Sequence, residues 1–134
     1  MKNFSLLVLG LSFIASSAMA ANFNCTAGAD GRDDYSGFGE NFTVKVERAT
    51  LTLEATQLGT IDSKFDSTYH PRAQNAGDVR YLGNVPGNVD DGCGVVQIYL
   101  NKDLAAGKNG MLTLSYDCDS DGSGPSFSIY DCKL

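Results

Sequence analysis

The sequence predicts an all-β domain, a small antiparallel barrel or sandwich of about eight strands with one short helical turn, stapled by two disulfides. Three observations predict it. Apolar residues recur at every second position in short runs, the pattern of strands with one face buried. Turn-forming residues interrupt those runs about every eight to twelve residues. The chain also holds four cysteines behind a start that reads as an export signal, a context in which cysteines are bridged.

Lys2, the apolar run from Leu6 to Ala15 and the closing Ala18-Met19-Ala20 have the charged, apolar and small-residue regions of a secretory signal peptide. A membrane-spanning helix needs about 20 apolar residues, and this run is shorter. Residues 1–20 are therefore expected to be removed, leaving 21–134 as a single β domain, soluble and periplasmic or secreted, without membrane insertion. The formal charge is −6, and loss of Lys2 makes it more negative. Such a surface repels phosphate backbones and anionic lipid, so no nucleic-acid partner is expected.

Asn22 to Ala27 reads as a first strand with Phe23 and Cys25 on one face, followed by a Gly/Asp-rich loop from Gly28 to Gly39. Phe42, Val44 and Val46 occupy even positions, while Leu51, Leu53 and Ala55 occupy odd ones. That change of phase calls for a turn around Glu47 to Thr50 or a bulge in one long strand, and a turn is favoured. Gln57 to Ser63, with Gly59, reads as a turn; Phe65 to His70 reads as a weak strand ended by Pro71; Asp78 to Leu82 reads as another strand. Asn84 to Gly92 reads as a loop.

Val96, Ile98 and Leu100 face Leu112, Leu114 and Tyr116 if the apolar sides of two strands are joined, pairing Leu100 with Leu112, Ile98 with Leu114 and Val96 with Tyr116. Between them Asn101 can cap a single helical turn and Gly107 can end it. A returning strand from Ser126 to Cys132 is expected to place Phe127 opposite Tyr116 and Ile129 opposite Leu114, and hence Cys132 near Met111 or Leu112. Cys132 then lies about 20 Å along the ladder from Cys118, beyond the roughly 7 Å that a bridge allows, and is equally out of reach of Cys93. The surviving pairing is Cys25 with Cys132 and Cys93 with Cys118. The first and last strands then lie side by side, which favours closure into a barrel.

Two constellations bear on function. Asp117, Asp119 and Asp121 with Gly122 resemble the D-x-D-x-D-G start of an EF-hand-like calcium loop, in which alternate carboxylates converge on one ion. The likeness covers six residues; Ser128 stands where such a loop has its bidentate Glu, and a strand follows in place of a helix. Asp90 and Asp91 are expected near the same end, so calcium is the candidate ion and a solvated acidic turn is the competing reading. The second constellation is Tyr69, His70 and Arg72 with Arg80 and Tyr81, a basic and aromatic patch on an acidic chain. Tyr69, Arg72, Arg80 and Tyr81 are the candidates for a partner surface, since Tyr and Arg carry binding energy disproportionately.

The segment Asn75-Ala-Gly77-Asp-Val-Arg80-Tyr81-Leu-Gly83 resembles the Ser-Gly-x-x-Tyr loop of the small periplasmic lysozyme inhibitors, eight-stranded barrels stapled by a disulfide. It lacks the serine and places Tyr81 four residues after Gly77. The resemblance implies a barrel that inhibits by binding.

Catalysis finds little support in the residues. His70 is the single histidine, no serine has a nucleophile-elbow setting, and the expected disulfides occupy every cysteine. No catalytic residue and no cofactor other than calcium is expected. The sequence thus points to an exported, soluble, non-enzymatic binding or inhibitor module of the bacterial envelope, with a protein or an envelope carbohydrate as partner. A calcium-stabilised structural or interaction protein, and less so a two-carboxylate hydrolase, are the alternatives.

Overall fold

A computed structural model describes residues 20–28, 38–86, 94–116 and 126–134. The chain forms eight strands: β1 (Ala21–Ala27), β2 (Asn41–Val46), β3 (Thr50–Thr56), β4 (Gly59–Phe65), β5 (Val79–Asn84), β6 (Val95–Leu100), β7 (Gly110–Tyr116) and β8 (Ser126–Lys133). Each is antiparallel to the next, and β8 returns to β1, so the sheet closes into a barrel in sequence order. A 3-10 turn over Ala73–Asn75 lies between β4 and β5, and helix α1 (Lys102–Ala105) lies between β6 and β7.

Closure leaves no sheet edge, and the interior is packed with side chains. Phe23, Val44, Leu51, Leu53, Ile61, Ile98 and Leu112 are fully buried. A barrel of about eight strands has an interior just wide enough for side chains to fill. Cys25 and Cys132 face each other in register where β1 meets β8, and a disulfide joins them across 107 residues. It closes the barrel covalently, in keeping with an oxidising compartment.

The expected β6–β7 register is the observed one, with Val96, Ile98 and Leu100 opposite Tyr116, Leu114 and Leu112. Asn101 caps α1 by accepting from the Leu104 N–H at 3.0 Å, and Gly107 follows with φ +81°. The turn after Val46 is closed by the Glu47 N–H donating to Thr50 O at 2.8 Å, so β2 and β3 are separate strands.

Four expectations need correction. Residues 59 to 63 belong to β4 and only Gln57 and Leu58 turn, because Ile61 and Ser63 alternate inward opposite Leu53 and Leu51. The strand expected over Phe65 to His70 is a loop after Phe65, for Asp66 turns its carboxylate back onto the backbone N–H of Thr68. Ala55 does not continue the inward phase of Leu53. It sits in a bulge at φ +62° and is exposed, and Thr56 takes the inward place. The fourth correction concerns β8, which is shifted by one residue: Ser126 faces Tyr116, Tyr130 faces Leu112 and Cys132 faces Gly110. A shift by one turns every side chain over. Phe127 and Ile129 therefore point outward, 58% and 47% exposed, while Tyr130 and Cys132 point inward. Cys132 must share the inward phase of Cys25 to bridge it, and this outweighs the alternation of Phe and Ile with Ser.

Cys93 and Cys118 lie outside the described residues, as do residues 1–19 of the expected signal peptide.

Candidate functional site

The connection from β4 to β5, residues 66–78, is long for an antiparallel hairpin and contains the 3-10 turn. It is fastened at both ends. At its start the Asp66 N–H donates to Arg80 O at 2.9 Å. Asp66 Oδ1 accepts from the Thr68 N–H at 3.0 Å and from the Thr68 hydroxyl at 2.6 Å. Asp66 Oδ2 accepts from Arg80 Nε at 2.8 Å and from Arg80 Nη2 at 2.5 Å. At the far end Asp78 Oδ1 accepts from the backbone N–H of Lys102 at 3.0 Å, which ties the loop to the first turn of α1. Gly77 permits this approach: its φ is +90°, and a Cβ there would lie 2.9 Å from Lys102 Cβ.

Tyr69 projects from this loop over Arg80. The guanidinium carbon lies 4.9 Å from the Tyr69 ring centre and 6.0 Å from that of Tyr99. The two rings meet edge to face at 5.5 Å. Tyr99 comes from β6, where it is the register partner of Arg80, and its hydroxyl donates to Gln97 Oε1. A cation above aromatic faces is attracted by the ring quadrupole, more strongly where water is excluded. The Arg80 side chain is 22% exposed and that of Asp66 only 7%, so the cluster is partly desolvated but still presents an outer surface.

The electrostatics follow from these contacts. Hydrogen bonds from Thr68 and then from Arg80 hold the Asp66 carboxyl below its ordinary pKa. Arg80 is held above its ordinary value, first by the Tyr99 hydroxyl and then by Asp66. Burial pushes the Tyr69 phenol up. The cluster is thus a fixed, neutralised Arg–Asp pair flanked by two phenol rings.

Of the partner-surface candidates, the structure brings Tyr69 and Arg80 together. Arg72 is exposed on the same loop, immediately before the 3-10 turn, and makes no ion pair among the described residues. Tyr81 is elsewhere: it points into the barrel, 4% exposed, against Phe65. Its phenol, raised in pKa by burial, donates to Glu47 O at 3.3 Å. The segment that resembles the inhibitor loop therefore puts its tyrosine in the core. Asp66, Gln97 and Tyr99 were missed in the sequence. The outward phase of Gln97 and Tyr99 was legible, but their place beside Arg80 depends on the β5–β6 register, which no motif announces.

Asp90, Asp91, Asp117, Asp119 and Asp121 lie outside the described residues. Among the described residues no three His, Cys, Asp or Glu side chains are grouped to hold a metal. No protein-family model matches the chain, and no curated protein or solved structure matches it.

Proposed function

We propose that the protein is an exported, soluble, non-enzymatic binding or inhibitor module of the bacterial envelope, which engages a protein or envelope-carbohydrate partner through loop 66–78 and the outer wall of β5 and β6. The observation that carries this reading is the fixing of Arg80 between Tyr69, Tyr99 and Asp66 before any partner arrives. Interfaces draw much of their energy from Tyr and Arg anchors, and holding those side chains in place lowers the ordering cost of association. Exposed Arg72 supplies an additional cation on the same loop.

A packed barrel interior favours an outer binding surface over a lumen. Outward residues on the first four strands, such as Asn24, Lys45, Glu54 and Asp62, are polar and exposed. The strands run six to eight residues, whereas strands that cross a bilayer need roughly nine to eleven. Both features support a soluble module.

Affinity capture from an envelope fraction tests the reading. Immobilised wild type should retain a protein or glycan that a Tyr69→Ala, Arg72→Ala, Tyr99→Ala variant of unchanged melting temperature does not. Retention of nothing by wild type counts against binding as the function, and equal retention by both counts against this surface.

A further inference from the structure

A separate concavity lies at the mouth of the barrel, where β1 and the β2–β3 turn on one side face α1 on the other. Its volume is about 660 Å³, within the range of small-molecule sites, which are often found in the mouths of β-barrels. Strand β5 separates it from the outer platform: Val79 and Tyr81 turn towards the mouth, and Arg80 turns outward onto Tyr69. The cleft therefore stands apart from the proposed partner surface.

The wall is mostly apolar, formed by Val46, Val79 and Ala105 and backed by the buried Leu104 and Tyr81. The Tyr81 hydroxyl is already engaged, donating to Glu47 O at 3.3 Å. Two charged side chains stand at the rim, Glu47 and Arg48. The Glu47 carboxylate is engaged, by Lys45 Nζ at 3.4 Å and by the Thr50 hydroxyl at 3.4 Å. Arg48 has no acidic partner among the described residues. The cleft thus combines an apolar wall with an uncompensated cation, and a guanidinium in that position suits a planar carboxylate.

We propose that this cleft binds an amphiphile carrying one anionic headgroup, of the fatty-acid class, with its tail along Val46, Val79 and Ala105 and its carboxylate on Arg48. Apolar burial holds the tail and the guanidinium selects the head.

Isothermal titration of the protein purified after export tests this, with decanoate below its micelle-forming concentration as the probe. Decanoate should bind saturably, one per chain, and butyrate should not. Ala105→Trp, which fills the cleft from the exposed side of α1, should weaken decanoate about tenfold or more with an unchanged melting temperature, since it removes the apolar wall from reach. Ala106→Phe replaces it if the tryptophan variant does not fold. Arg48→Gln should weaken decanoate by about tenfold, the worth of one charge-assisted hydrogen bond. Flotation with phosphatidylglycerol vesicles distinguishes a free amphiphile from a membrane lipid: failure to capture them beside tight decanoate binding supports the free source. Absence of decanoate binding, indifference to the cleft variants, preference for decyltrimethylammonium over decanoate, or vesicle capture without decanoate binding would each overturn the proposal.

Discussion

The guanidinium of Arg80 lies 4.9 Å over the ring of Tyr69, and the same guanidinium is bound by the carboxylate of Asp66 fourteen residues away in the chain. The contact joins the start of a long loop, its first aromatic side chain and the outer wall of the barrel into one rigid unit. Loop and platform are therefore linked energetically, which makes the order of the loop's first half depend on the Asp66 carboxylate.

That dependence predicts a pH effect. The pKa of Asp66 is lowered in the folded protein, so its contribution to stability is complete above the unfolded aspartate value of about 3.9. The contribution is lost as pH falls through the lower folded value. Asp66→Asn should reduce the melting temperature at pH 7 by a few degrees, and the gap to wild type should narrow steadily below about pH 4. Calorimetry over that range would contradict the assignment if the gap stayed constant.

The barrel seam gives a second expectation. The Cys25–Cys132 bridge closes a loop spanning 107 residues of sequence separation, for which restriction of the unfolded chain is worth about 4 to 5 kcal/mol. Cys25→Ser with Cys132→Ser should lower unfolding free energy by that order in chemical denaturation. Peptide mapping of the oxidised protein should recover Cys25 with Cys132 and, from the expected hairpin geometry, Cys93 with Cys118. A Cys118–Cys132 peptide would contradict both the seam and the β7–β8 register.

The register of β8 can be tested by contrast. Phe127 and Ile129 point outward, so Phe127→Thr or Ile129→Thr should change stability by less than about 1 kcal/mol. Ile98→Ala, at a fully buried position, should cost about 2 to 5 kcal/mol. A large loss from Ile129→Thr would mean that β8 presents its other face to the core.

How far the sequence revealed this architecture depends on which signal set each element. Alternation placed β6 and β7 and their register, because Val96, Ile98 and Leu100 have no competing phase. Asn101 and Gly107 marked α1 through their own backbone chemistry. In β8 two signals disagreed: Phe127 and Ile129 argued for one phase, Tyr130 and Cys132 for the other, and the pairing with Cys25 decides it. The Phe65–His70 region misled because Phe65 ends β4 and the aromatic Tyr69 that follows it serves a loop. Tyr69 is half-buried against Arg80 and Tyr99 in place of a core. The candidate site was only half legible for the same reason: Tyr69 and Arg80 stood out as unusual residues, whereas Asp66 and Tyr99 join them through pairings distant in sequence.

The acidic segment around Asp117, Asp119 and Asp121, with Asp90 and Asp91, carries a separate expectation from its spacing alone. A calcium ion held there should bind weakly, in the range of about 10⁻⁴ to 10⁻³ M, and raise stability by RT ln(1 + [L]/Kd). Millimolar calcium should then raise the melting temperature by a few degrees relative to EDTA, and Asp119→Asn with Asp121→Asn should remove the difference. Identical melting of wild type in both conditions would leave only a solvated turn.

Site-specific photocrosslinking in the envelope tests the partner surface most directly. With p-benzoylphenylalanine in place of Tyr99, on the wall beside Arg80, irradiation should yield a discrete adduct with a protein or glycan. The same probe in place of Glu54, exposed on β3, should yield none. An adduct from position 54 with none from position 99, or equal adducts from both, would contradict the assignment of loop 66–78 and the β5–β6 wall as the binding surface.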